Sequence, residues 1–232
     1  MKIISWNCNG ALWKKFNLLE KLDADILVIQ ECEDPRRSKN LDYKKWAKNY
    51  LWHGNGKNKG IGVFAKFDIG IDPIDLDSGK LESFLPFTVN NNLKILAVWT
   101  RNPESGKSSY IGQLWQYLQL HKNYFKGDNN LIIGDFNSNK IWDKQRNIGN
   151  HSNVVNELKE IGILSIYHHF IGCDQGTEIH PTFYMYRKIE KPYHIDYAFI
   201  SESLISNSKI DVGNKELWLE YSDHMPLFLT ID

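Results

Sequence analysis

Net charge, long apolar runs, internal repeats and a cysteine framework are all missing from this sequence. Its 28 Lys and Arg residues balance its 28 Asp and Glu residues, so overall charge marks it for neither an anionic nor a cationic partner. No apolar run approaches the ~20 residues needed to cross a bilayer, and a strand pattern begins at once after Lys2. Neither a membrane span nor a secretory leader is therefore expected. The cysteines are only Cys8, Cys32 and Cys173, an odd number without metal-ligand spacing, which suits a reducing cytoplasm. His168, His169 and His180 lie near Cys173 but form no compact zinc-binding pair with it. No linker or low-complexity tract divides the 232 residues, so one large domain over 1–232 is expected.

The charge balance is only global. Between Arg36 and Lys66 stand Arg37, Lys39, Lys44, Lys45, Lys48, Lys57 and Lys59, against Asp42 alone, and the following stretch is acidic. One basic face is predicted from this. Aliphatic and β-branched runs predict strands over 3–7, 26–30, 61–66, 93–99, 130–135, 195–200 and 225–231. Weaker candidates lie near 51–54, 164–168, 181–185 and 208–212. Helical spacing predicts helices over 11–22, 109–121 and 151–161; Leu12, Phe16, Leu19 and Leu22 form the stripe of the first. So many strands with so few helices exclude simple alternation of strand and helix. Two sheets packed face to face with helices outside, an α/β architecture, fit better.

Five short segments carry the chemistry. They are Ile4-Ser5-Trp6-Asn7-Cys8-Asn9-Gly10, Val28-Ile29-Gln30-Glu31, Ile133-Gly134-Asp135-Phe136-Asn137, His194-Ile195-Asp196-Tyr197 and Ser222-Asp223-His224-Met225-Pro226-Leu227. Each adjoins an aliphatic run, which places its polar residue at a strand end. Phosphodiester hydrolysis needs an activated water, neutral charge on the phosphoryl oxygens and help for the departing alkoxide. Mg²⁺ or Mn²⁺ on hard oxygen ligands can supply the last two. Glu31 and Asp223 are the candidate ligands, because a carboxylate at the end of a buried strand calls for a cation. Asn7 can position that metal site and donate to a phosphate oxygen. Asp135 and Asn137 project to one side of an extended segment, so the Asp can orient the water while the Asn bonds the phosphate. His224 adjoins Asp223, and a carboxylate beside it would fix its tautomer and favour its charged form; Asp196 is the candidate. Asn9 fits a supporting role at the metal and a plain turn before Gly10 equally well. Strand alternation turns the Cys8 and Cys32 thiols away from the site and into the core.

With these motifs in this order, the chain resembles the endonuclease/exonuclease/phosphatase superfamily, most of all its exonuclease III-type and apurinic/apyrimidinic endonuclease branch. The resemblance runs from Asn7 to His224. It implies a four-layer sandwich of two packed mixed β-sheets flanked by helices. It also implies Glu31 as the metal-binding Glu with Asn7 as its partner, Asp135 as the residue that activates water and Asn137 as the phosphate donor. Asp196 would pair with the catalytic His, and Asp223-His224 would be the terminal Asp-His. The Lys59-Gly60-Ile61-Gly62-Val63 segment is similar to one between the family's Glu and its Asp-Xaa-Asn motif. Two positions depart from the pattern. Trp99 stands where the repair enzymes carry Tyr and deoxyribonuclease I-type members carry His, and Tyr193-His194 replace a Trp-Arg pair. The indole keeps an aromatic plane and an N–H but cannot act as a base.

The implied activity is Mg²⁺- or Mn²⁺-dependent hydrolysis of DNA, endo- or exonucleolytic, with DNA repair among the roles it would suit and water activated by Asp135 and His224. Trp99, Tyr193, Lys57 and Lys59 are expected to contact substrate with Asn7 and Asn137. The alternative is a phosphoesterase of the same fold for a phospholipid, phosphoinositide or nucleotide. The His-Ile-Asp-Tyr sequence at 194–197 departs from the Cys-Asp-Arg of inositol phosphatases, and no membrane-inserting hairpin is evident. A binding module without turnover is disfavoured, since each core catalytic position holds the expected residue type.

Overall fold

The computed structural model describes residues 1–56, 58–79, 81–82, 84–102, 110–144 and 148–232. Its strands are β1 (Lys2–Asn7), β2 (Ile26–Cys32), β3 (Tyr50–His53), β4 (Gly60–Ala65), β5 (Ile71–Pro73), β6 (Phe84–Val89) and β7 (Leu93–Trp99). They continue with β8 (Asn130–Asp135), β9 (Ile163–Ser165), β10 (Phe183–Tyr184), β11 (Pro192–Tyr193), β12 (Asp196–Ser201), β13 (Ser208–Val212) and β14 (Leu227–Ile231). The helices are α1 (Phe16–Glu20), α2 (Leu41–Trp46), α3 (Ile111–His121), α4 (His151–Glu160), α5 (Ile166–Ile171), α6 (Glu202–Ile205) and α7 (Lys215–Trp218).

Two six-stranded sheets result, ordered β13-β14-β1-β2-β4-β3 and β5-β6-β7-β8-β12-β9, with β10-β11 as a separate ribbon. Both are mixed: β1 runs parallel to β2 in the first sheet and β7 to β8 in the second, while the other pairs are antiparallel. The first and last strands are neighbours, with Ile3 opposite Leu229.

Alternation along each strand builds three apolar layers. Between the sheets lie Ile3, Val28 and Val63 from one side and Ile95, Ile133 and Ala198 from the other. The outer face of the first sheet sends Ile4, Trp6 and Ile29 against Phe16 and Leu19 of α1, Tyr43 of α2 and Trp218 of α7. The outer face of the second packs Leu96, Ile132 and Phe199 against Leu114 and Leu118 of α3 and Leu158 of α4. Three apolar layers require four layers of backbone, in the order helix, sheet, sheet, helix. Each fully buried Ile or Leu adds about 1.5–3 kcal/mol to this arrangement.

Several elements differ from the pattern-based expectation. The predicted helix over 11–22 is a 3-10 turn at Leu12–Lys14 followed by the short α1. Lys15 interrupts it, because its ammonium is drawn back to the carbonyls of Cys8 (2.5 Å) and Gly10 (2.9 Å). The weak strand near 164–168 is β9 running directly into α5. Strand β6 was not expected, since Pro86 lies inside it. Its carbonyl accepts from Ile74 (2.9 Å) just past the end of β5, on the side where an N–H would have pointed. The missing donor therefore breaks no bond of the ladder.

Candidate active site

The candidate residues meet at one end of the inter-sheet layer. On β8 the inward series Leu131, Ile133 continues to Asp135, which is wholly buried. Gly134 makes that placement possible. Its φ is +146°, and a Cβ there would lie 2.0 Å from the Val98 carbonyl oxygen of β7. Antiparallel pairing sets Asp196 of β12 directly opposite Asp135. Two carboxylates on adjacent strands would repel each other, and His224 relieves this. Its Nδ1–H donates to Asp196 Oδ2 at 3.0 Å, and its Nε2 stands 3.9 Å from Asp135 Oδ2.

Burial by itself would lower the pKa of His224, but the Asp196 and Asp135 carboxylates overcome it and raise it to about 10. The ring is thus held as a cation at neutral pH. Burial raises the pKa of Asp135, with Asp196 adding to the rise while His224 opposes it. Asp135 Oδ2 accepts from the Asn7 and Asn137 side-chain amides, both at 2.9 Å, and Oδ1 accepts from the Asn137 N–H at 2.8 Å. Asn137 also donates to the Thr100 carbonyl (2.9 Å), which fixes its amide plane.

The other half of the site comes from the first sheet. Alternation along β2 would send Glu31 outward with Leu27 and Ile29. Instead Glu31 adopts φ +61°, and the pairing with β4 slips between Gln30 and Cys32. This bulge swings the carboxylate towards the inter-sheet end and returns Cys32 to the outer apolar layer. Glu31 Oε1 then accepts from Asn7 (3.3 Å) and Oε2 from the Lys59 ammonium (2.5 Å). The Asn7 amide therefore links the two sheets through Glu31 and Asp135. Asp223 accepts from the Asn9 amide at 2.9 Å, while Ser222 Oγ donates to the Asn7 carbonyl at 2.7 Å. Asn9, Ala11, Glu31 and Asn137 all have φ between 45° and 61°. Such non-glycine conformations cost about 1–3 kcal/mol each and persist where the surroundings over-determine them.

The expected site residues separate by position. Asn7, Glu31, Asp135, Asn137, Asp196 and His224 form one connected network, with Asp223 joined to its edge through Asn9. Trp99 lies opposite Asp135 on the adjoining strand and faces the same way, but its indole is only 7 % exposed. It belongs to the inter-sheet core, with the Arg101 guanidinium 5.2 Å from its ring centroid. Tyr193 packs between Trp142, at 5.1 Å between ring centroids, and Phe183, at 6.5 Å. Lys57 lies outside the described residues.

The basic stretch over 36–66 is partly paired with acidic groups. Lys66 pairs with Asp23 (2.8 Å) and Asp25 (3.0 Å), Lys45 with Asp42 (3.7 Å), and Lys59 with Glu31. Most of these acidic partners come from other parts of the chain, so counting charge within one stretch missed them.

Two residues had no motif to reveal them. Thr182 Oγ1 accepts the N–H groups of Ile195 (2.9 Å) and Asp196 (3.0 Å), and its carbonyl accepts from Met225 (2.7 Å). It thereby ties the Asp196 strand to the His224 segment. Phe183 lies against His224 with 4.6 Å between ring centroids. Cys8, as expected, is buried away from the site, and burial pushes its thiol up to about 12.

Asp135, Asp196 and His224 present ligand atoms within 4.8 Å of one another, a group that could hold a metal ion. In that group the Nδ1 of His224 is already committed to Asp196, and the charged ring repels a cation. Glu31 and Asp223 offer further hard oxygen atoms in half-buried positions. No helix among the described residues is long and apolar enough to cross a membrane.

Comparison of the sequence with curated proteins gives no match. Solved structures do match in fold. The 3'-5' exonuclease NExo from Neisseria meningitidis superposes with a TM-score of 0.72 at 18% identity, covering 100% of both chains. An AP endonuclease from Archaeoglobus fulgidus gives 0.71 at 17% identity, covering 100% of this chain and 99% of the other. The AP endonuclease LMAP from Leishmania major gives 0.70 at 14% identity, covering 100% and 87%. The profile of the endonuclease/exonuclease/phosphatase family matches residues 4–224, and the chain belongs to that family.

Proposed function

We propose that this protein is a divalent-metal-dependent phosphodiesterase whose substrate is DNA. The observation that carries the reading is the buried arrangement in which the His224 ring stands between the Asp196 and Asp135 carboxylates. A carboxylate whose pKa is raised by burial is a stronger base than a solvated one, so Asp135 suits removing a proton from the attacking water. His224, kept charged by Asp196, suits donation of a hydrogen bond to a phosphoryl oxygen as negative charge gathers there. The amides of Asn7 and Asn137 are held against Asp135 and add neutral donors at the same place.

The donor chemistry fits a hard cation. Glu31 and Asp223 would hold Mg²⁺ or Mn²⁺, with Asn7 and Asn9 orienting them. When bound, the cation supplies positive charge for the phosphoryl group and the leaving oxygen. Lys59 neutralises one oxygen of Glu31, which supports a role at the reaction centre in preference to one on a remote stretch of substrate. The preference for DNA rests on the fold neighbours, among them a Neisseria 3' phosphatase bound to a product DNA hairpin. The free thiols Cys8, Cys32 and Cys173 suit a reducing cytoplasm.

Purified protein should be assayed with Mg²⁺, Mn²⁺ or chelator on supercoiled plasmid, linear duplex, abasic duplex, RNA and a chromogenic phosphodiester. Metal-dependent cleavage of at least one DNA substrate, abolished by chelator, is expected. Full activity in excess chelator, or hydrolysis confined to small phosphoesters, would overturn the reading.

A further inference from the structure

A groove of about 610 Å³ lies beside the reaction centre, lined by Ala11, Trp13, Glu33, Arg37, Lys39 and Asn58 among others. Three of its lining residues lie one or two positions along the chain from residues of the candidate site. Ala11 follows Asn9, which holds Asp223; Glu33 follows Glu31; and Asn58 precedes Lys59, which holds Glu31. A strand of substrate passing over Glu31 and Asp223 can therefore extend into this groove.

The groove presents an aromatic plane on a fixed support. Trp13 is 40 % exposed, yet its backbone is held in place. The carboxylate of Glu33, itself only 9 % exposed, accepts the N–H groups of Leu12 (3.0 Å) and Trp13 (2.6 Å). Those bonds direct the negative charge of Glu33 onto the chain itself. Trp13 also borders a second cavity of about 450 Å³ next to Phe16 and Asn40, so it stands as a ridge between two depressions. The Lys14 ammonium lies 4.9 Å from its ring centroid. Arg37 is exposed at 3.8 Å from Asp34, and Lys39 is exposed at the same rim. A part-exposed indole with one face over the Lys14 ammonium, in a groove that also holds Arg37, Lys39 and the Asn40 and Asn58 carboxamides, matches a base, a phosphate and a base edge.

We infer that this groove binds a single-stranded stretch of nucleic acid flanking the scissile phosphate, with one base stacked on Trp13; the inference rests on the phosphodiesterase reading above. In the interior of a duplex each base is covered on both faces by its neighbours, so an indole gains nothing from it. An unpaired base offers a free face, and stacking of this kind does not depend on its identity. The substrate class is thus one with an overhang, a frayed end or a bubble beside the cleavage point.

Binding can be read without turnover. Fluorescein-labelled oligothymidylate, oligouridylate and a blunt duplex are titrated with protein in chelator and followed by anisotropy, for the native chain, Trp13→Ala and Trp13→Phe. Trp13→Ala should weaken single-strand binding by about five- to a hundredfold. Trp13→Phe should retain most of the affinity, and blunt-duplex binding should be unchanged in both. Preference between the two oligonucleotides assigns the groove to DNA or RNA. A joint Arg37→Gln, Lys39→Gln change should lower the salt slope by about 0.7 for each phosphate that is no longer neutralised. Equal affinity of Trp13→Ala and native protein for single strands, no single-strand binding by native protein, or an equal loss on blunt duplex would each overturn the inference. Because no step requires catalysis, these results stand apart from a failure to cleave DNA.

Discussion

The two halves of the active site are built by opposite means. The Asp135–Asp196–His224 half sits at the ends of paired strands, buried, with its partners fixed by register. The Glu31–Asp223–Asn9 half sits on a bulge and on loops, more exposed, with strained backbone at Glu31 and Asn9. Burial in the first half shifts pKa values and so favours proton transfer and hydrogen bonding. The second half leaves carboxylate oxygens near solvent, where a hydrated cation can reach them. On the proposed function, one centre would separate acid–base work from charge neutralisation, and Asn7 joins the two halves through a single amide.

The largest effect should come from the buried half. Asp135→Asn should lower kcat by about 10²–10⁴-fold on any substrate the enzyme accepts, with the fold intact by circular dichroism. Near-native turnover would remove Asp135 from the proton transfer. Next is the coupling within that half. His224→Ala should cost about 10²–10⁴-fold, and adding Asp196→Asn to it should cost little more, since Asp196 acts through the ring. Losses that simply multiply would show that the pair does not work as a unit.

A smaller effect is expected at Thr182, whose hydroxyl receives two backbone N–H groups beside Asp196. Thr182→Val leaves those buried donors unpaired, which should cost about 1–3 kcal/mol for each in chemical denaturation. Unchanged stability would mean that other acceptors replace the hydroxyl. A further effect is electrostatic and shows only in the pH dependence of stability. The folded-state pKa of His224 lies near 10, above its ordinary 6.5, so the folded protein holds a proton that the unfolded chain releases. The stability from His224 is therefore complete below pH 6.5 and is lost as pH rises towards 10. Metal-free protein should show a falling Tm over this window, and His224→Gln should flatten the fall. An identical slope in the variant would place its origin elsewhere.

The buried half was also the more legible in sequence. Alternation along 130–135 and 195–200 puts Asp135 and Asp196 on the inner face, and the Ser-Asp-His triplet supplies the His. The second half was legible in residue type but not in geometry. Alternation along β2 points Glu31 the wrong way, and only the slip after Gln30 corrects it. A bulge leaves no period in the sequence, since it is a break in one. The same limit hid Lys59 as the partner of Glu31, because a salt bridge over 28 positions has no local signature. Trp99 faces the same way as Asp135 on the adjoining strand, but its near-complete burial follows from the packing of the first sheet against it, which no single strand reveals.

The division of labour between the halves is tested most directly by titrating Mg²⁺ against the activity of Glu31→Gln and Asp135→Asn side by side. Glu31→Gln should need a higher metal concentration for half-maximal rate and recover part of its activity in excess Mg²⁺. Asp135→Asn should keep the native midpoint but plateau at a rate about 10²–10⁴-fold lower. A shifted midpoint in Asp135→Asn, or no shift in Glu31→Gln, would contradict the assignment of proton work to one half and cation binding to the other.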